Sequence, residues 1–124
     1  MKLLVHNFLA SKFLKGVTTG FPLKLVATKL EFKEREVNPD FIKKMVPRLD
    51  WSALKFAAAC IQANNLPDIL PADWEKDEAL LKHLHHLLVE AEVEEGYLEC
   101  PETGRQFPIK DGIPNMLANE DEVA

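Results

Sequence analysis

The stretch Gly96–Leu117, GYLECPETGRQFPIKDGIPNML, constrains this chain more than any other part of it. Tyr97 and Leu98 open an apolar run, Cys100-Pro101-Glu102-Thr103-Gly104 makes a tight knuckle, and Phe107-Pro108-Ile109 resumes the apolar run. A second turn at Lys110-Asp111-Gly112 leads into Ile113-Pro114-Asn115-Met116-Leu117. Two turns closed by glycine at this spacing predict three short antiparallel strands. The knuckle has the outline of a zinc ribbon, in which Cys-Pro-x-Cys-Gly wraps two thiolates around one metal. Thr103 stands at the second thiolate position, so the shape is expected without the metal.

Upstream, Lys2–Val5 is apolar enough for a strand, and Ser11–Gly20 reads as a loop. From Phe21 the pattern alternates, with Phe21, Leu23 and Leu25 on one face; Pro22 fits an edge or a first strand position. The phase slips between Ala27 and Lys29, where a bulge would absorb it. Asn38-Pro39-Asp40 is a helix start, with a capping Asn, a Pro at the first helical position and an acid in the first turn. Phe41, Ile42, Met45 and Val46 share a face until Pro47, and Asp50 caps a second helix carrying Trp51, Leu54, Ala58 and Ile61. A third helix is predicted over Asp77–Glu92 from its leucine stripe. Strands at both ends and helices between them predict an α+β fold. Its small antiparallel, zinc-ribbon-like sheet is built from residues 1–37 and 96–124, and about three helices fill the insertion 38–95.

The 124 residues are enough for one domain with a sizeable core. A net charge of −5, with 15 Lys and Arg against 20 Asp and Glu, argues against a chain that holds nucleic acid by itself. No apolar run approaches the ~20 residues of a membrane span, and the N-terminus is too polar for a signal peptide. Two cysteines, Cys60 and Cys100, make no disulfide framework, which predicts a reducing cytoplasmic or nuclear setting. No phosphate-cradling loop, nucleophile elbow or H-E-x-x-H string is present. His83 and His86 share a helical face, but histidines there usually line the polar side, so no metal site is assigned. Glu90, Glu92, Glu94 and Glu95 read as a solvated face leading into a strand. Pro114 inside an apolar strand marks a sheet edge, and an apolar edge usually receives another chain.

HNFL near the start, FPL after the loop, NPDF and DW in the middle, HHLL, and the closing EGYLECPETGRQFPIKDGIPNML together resemble the small methyltransferase-activating subunits. The match runs in order over nearly the whole chain. It implies a non-catalytic protein that pairs with several S-adenosylmethionine-dependent methyltransferases acting on tRNA, ribosomal RNA and a translation termination factor. Such a protein keeps each enzyme soluble and active, in the cytoplasm and nucleus, and the cofactor sits on the partner. Some members bind zinc through four cysteines whose positions fall here at Ser11, Gly16, Cys100 and Thr103, so the resemblance implies a metal-free branch. The expected partner surface comprises Phe8, Leu9, Phe107, Ile109, Ile113, Pro114, Asn115, Met116 and Leu117. RNA would be met only through the partner; the rival reading is a small RNA-binding module derived from a zinc ribbon.

Overall fold

The computed structural model describes residues 1–63 and 65–123 and has a four-stranded antiparallel sheet in the order β1-β2-β3-β4. The strands are β1 Lys24–Phe32, β2 Ala91–Glu99, β3 Gln106–Lys110 and the short β4 Ile113–Pro114. Helices α1 Leu3–His6, α2 Pro39–Met45, α3 Trp51–Cys60 and α4 Glu78–His85 occupy the rest. No helix among the described residues is long and apolar enough to cross a membrane.

Local chemistry sets the helix starts. The Asn38 side chain accepts from the Phe41 amide with Pro39 at the first position, Asp50 accepts from Ala53, and Asp77 accepts from Leu80. Such caps each contribute about 1 kcal/mol. The phase slip read between Ala27 and Lys29 is a true register shift. The pairing passes over Thr28 on β1 and then over Glu94 on β2, so the two irregularities cancel and the strands stay in step to Phe32↔Ala91. Glu94 is thereby free to accept the Gly112 amide on its carbonyl (2.9 Å) and Lys33 on its carboxylate (2.6 Å).

Two expectations fail. Lys2–Val5 is not a strand: Leu3–His6 is one helical turn that buries Leu3 and His6, and only Lys2 bridges to the sheet, at Glu92. A short apolar run does not distinguish period 2 from period 3.6, and here burying two residues three apart wins. The third helix also stops early. Regular α4 ends at His85, a wider π turn covers His86–Glu90, and Ala91 already begins β2. From Ala91 the burial alternates, with Ala91 and Val93 inward and Glu92 and Glu94 half-buried, which is the signature of a strand. Leu88 and Ala91 belong to the helical stripe in the sequence but are buried at the junction between turn and sheet. The acidic run is not simply solvated either: Glu90 accepts the Arg35 amide and His86 Nδ1 lies 3.0 Å from its carboxylate, while Glu94 holds Lys33.

The core is continuous from sheet to helices. Leu25, Val93, Leu98, Phe107 and Ile109 pack with Leu3, Ile42, Leu54, Leu84 and Leu88. Burying one such side chain contributes about 2 kcal/mol. The two ends of the chain are then tied at one corner. The carboxylate of Glu102 accepts from the backbone amides of Thr18 (2.9 Å), Thr19 (3.0 Å) and Gly20 (2.8 Å). Those bonds, led by the one from Thr18, hold its carboxyl at a pKa of about 2. Arg105 binds Glu122 at 2.8 Å, and the Lys15 amide donates to the Glu122 carbonyl at 2.7 Å.

Gly96 faces Ala27 where a side chain cannot fit: at φ +149°, an added Cβ would lie 2.0 Å from the Val26 carbonyl oxygen. Gly96→Ala is expected to cost about 3 kcal/mol. A melting curve unchanged from wild type would contradict this. Acid should also loosen the fold. Glu90, Glu94, Glu102 and Glu122 all have depressed folded pKa values, so their contribution is full above the ordinary carboxylate range near ~4.3 and is lost as pH falls toward 2. The melting temperature should therefore fall steadily between pH 5 and about 2.5. A flat or rising profile over that window would be inconsistent with these contacts.

Candidate docking surface

The residues after the second turn are arranged by the hairpin that holds them. Asp111 and Gly112, both at positive φ (52° and 76°), form the two-residue loop between β3 and β4, where such backbone angles match the strand twist. Ile109 pairs with Pro114 and Lys110 with Ile113, and the Asn115 amide donates to the Pro108 carbonyl at 2.9 Å. Backbone groups on a strand alternate in direction, so with the next residue, Asn115, bonded to β3, the Pro114 carbonyl at the end of β4 points outward. Pro114 has no N–H to offer, which is why it is tolerated at an edge. Burial alternates in the same way. Ile113, Asn115 and Leu117 are exposed, Ile113 at 70% and Leu117 at 80%, while Pro114 and Met116 are half-buried.

This arrangement sorts the expected partner-binding residues into three groups. Ile113, Asn115 and Leu117 stand on one open face of the edge, and Phe8 is 57% exposed. Asn115 also shapes the segment, because its side-chain oxygen accepts the Leu117 amide at 3.0 Å. Leu9, Pro114 and Met116 are half-buried, Leu9 and Met116 against the core, so Met116 is an anchor of the segment rather than a free contact. Phe107 and Ile109 are buried, at 0% and 3% exposure, and cannot touch a partner. Their place on the middle strand β3, between β2 and β4, puts them under the sheet, with Phe107 edge-on to Phe13 and under Arg105.

Val5, which the sequence reading missed, is 41% exposed. Its carbonyl accepts the Phe8 amide at 3.0 Å, so Val5 and Phe8 belong to the same turn of chain. Reading Leu3–His6 as a helix would have put these two residues three apart on one side, which was the available signal. That segment is held in place by polar contacts behind it. His6 Nε2 lies 2.7 Å from the Leu23 carbonyl, and Asn7 exchanges two hydrogen bonds with the Asp50 backbone at 2.9 and 3.0 Å. Burial lowers the His6 pKa, so the neutral ring is the form that donates to Leu23.

Ser11, Cys100 and Thr103 meet at the other corner. Burial pushes the Cys100 thiol up, but hydrogen bonds from Ser11, Thr103 and the Thr103 and Glu102 amides outweigh it and leave the pKa lowered. Gly16 adds no side chain. A structural zinc takes four sulfur or nitrogen ligands, and one thiol with two hydroxyls does not fit that requirement. Among the described residues, no group of three or more His, Cys, Asp or Glu side chains is placed to hold a metal ion.

Comparison with known proteins gives the family. A family model described as Trm112p-like protein matches residues 2–112. A multifunctional methyltransferase subunit, TRM112 homolog A from Arabidopsis thaliana, is 49% identical over 125 residues, covering 99% of this chain and 100% of its own. The TRM112-like subunit of Mus musculus is 47% identical over 123 residues, 98% of each chain, and that of Saccharomyces cerevisiae 34% identical over 129 residues, 94% of this chain and 96% of its own. Among solved structures, a chain of the E. cuniculi Mtq2–Trm112 complex, described as responsible for methylation of the eRF1 translation termination factor, matches with a TM-score of 0.56. It is 19% identical and covers 94% of this chain and 95% of that one, a likeness of fold. This chain belongs to the Trm112p-like family.

Proposed function

We propose that this chain is a non-catalytic subunit that binds, stabilises and activates S-adenosylmethionine-dependent methyltransferases acting on tRNA, ribosomal RNA and a termination factor. Full-length relatives at 34–49% identity carry the name multifunctional methyltransferase subunit, which supports the role. The observation that carries the mechanism is the open edge at β4, with an outward Pro114 carbonyl and exposed Ile113 and Leu117. An enzyme with its own open sheet can extend that edge by main-chain hydrogen bonds while Ile113 and Leu117 cover its apolar surface. A subunit that binds only the folded enzyme then raises its stability by mass action.

The rest of the reading follows from that role. Phe8 and Val5 would extend the contact. The cofactor stays on the enzyme, and RNA is met through it, in keeping with a net charge of −5. The sheet and its corner form a zinc-ribbon-like unit from the two ends of the chain with the helices as an insertion, working in the cytoplasm and nucleus.

Ile113→Asp and Leu117→Asp should each leave the far-ultraviolet dichroism and melting curve of the free chain close to wild type. Each should weaken capture of the methyltransferase by roughly 30-fold, the effect of losing a contact of about 2 kcal/mol. If both variants still co-purify with the enzyme at wild-type yield, the edge is not the docking site. The isolated chain should turn over no S-adenosylmethionine, whereas adding it to a methyltransferase should raise that enzyme's rate. Cofactor turnover by the chain alone would remove the non-catalytic reading.

A further inference from the structure

We propose that the Glu102 carboxylate staples this corner of the fold in place of a metal ion, joining the Ser11–Gly20 loop to the Cys100–Arg105 knuckle. The two segments are far apart in sequence, and the bonds that join them span 82 to 84 residues. In a metal-bound ribbon a single ion, ligated from both sides, closes such a gap. The donors here cannot do so, since the corner offers one thiol, two hydroxyls and a glycine. Glu102 sits in the middle of the knuckle, between Pro101 and Thr103, and reaches across to the loop. There its two oxygens take three successive amide N–H groups and the Thr19 hydroxyl (3.4 Å).

The loop is built to receive it. Successive backbone amides turned toward one point form a concave anion site, and an ionised acceptor makes each bond stronger than a neutral one. Gly20 completes the concavity at φ +60°, and an added Cβ there would lie 2.6 Å from Ser11 Oγ and 2.7 Å from the Lys12 amide nitrogen. The Ser11 amide donates back to the Gly20 carbonyl at 2.9 Å, closing the loop on itself. On the knuckle side, the Gly104 amide donates to the Cys100 carbonyl at 3.0 Å, and the Cys100 amide to the Arg105 carbonyl at 2.9 Å. Both halves are thus preformed. The hydroxyls help each half hold itself: the Ser11 hydroxyl donates to the Gly20 carbonyl (3.3 Å), and the Thr103 hydroxyl oxygen accepts the Arg105 amide (3.3 Å).

Amide hydrogen exchange followed by NMR on the full chain tests the staple at the atoms concerned. In wild type, the amides of Thr18, Thr19 and Gly20 should exchange slowly despite lying in a loop. In Glu102→Gln they should exchange at least about tenfold faster, because one charged, two-oxygen acceptor becomes a neutral one. Core amides at Leu98 and Phe107 should change far less. Treating wild type with a zinc chelator should alter neither these rates nor the melting temperature. Equal exchange at the three amides in wild type and variant would overturn the proposal. So would a wild-type chain that carries about one zinc and loses its melting temperature to the chelator. That second measurement decides the matter even if Glu102→Gln does not fold.

Discussion

The structure depends on the antiparallel pairing of β1 with β2, nine residues against nine from segments some sixty positions apart in the chain. Everything that defines the surface hangs on this pair. β2 carries β3, β3 carries β4, and the Gly112 amide returns to the Glu94 carbonyl at the point where the pairing skips a residue. The pairing is possible only because the chain bulges once on each strand and because Gly96 leaves room for the Val26 carbonyl. Closing a loop of that length is costly in entropy, and the continuous apolar core from Phe107 to Leu84 offsets it.

A sheet this small needs further ties at its open end, and the chain supplies them by charge and hydrogen bonding. Glu102 fastens the loop, Arg105 and Glu122 fasten the tail, and Lys33 fastens Glu94. These ties lie at or near the surface, partly buried, so each ion pair among them is modest and partly screened by salt. Their value is positional. They leave Ile113 and Leu117 outside while Phe107 and Ile109 remain inside, so that one short hairpin serves both the core and the surface.

What the sequence disclosed was local. Asn38-Pro39, Asp50 and the turn at Asp111-Gly112 could be read directly because each residue's function is settled within three or four neighbours. The bulge near Thr28 was legible because a slip of phase shows in the pattern itself. Leu3–His6 was not, since a run as short as Leu3, Leu4 and Val5 fits two periods, and Val5 was lost from the surface with it. The start of β2 was hidden because a leucine stripe runs without a break from a helix into a strand. Glu102 gave no signal at all: its partners are backbone amides more than eighty residues away, and backbone donors leave no trace in composition. Phe107 and Ile109 sit in an apolar run that reads as core, and placing them on the partner surface as well overlooks that β3, held between β2 and β4, turns both inward.

The central claim is that the β4 edge and the turn carrying Phe8 are where a methyltransferase docks. Amide hydrogen exchange of the chain, free and in its co-purified complex, locates the contact residue by residue. The account predicts slowed exchange at Met116, two residues past the β4 edge, with further protection around Val5–Phe8. Protection centred instead on another face, such as the exposed Phe32 stacked on His86, with Met116 unchanged, would contradict it.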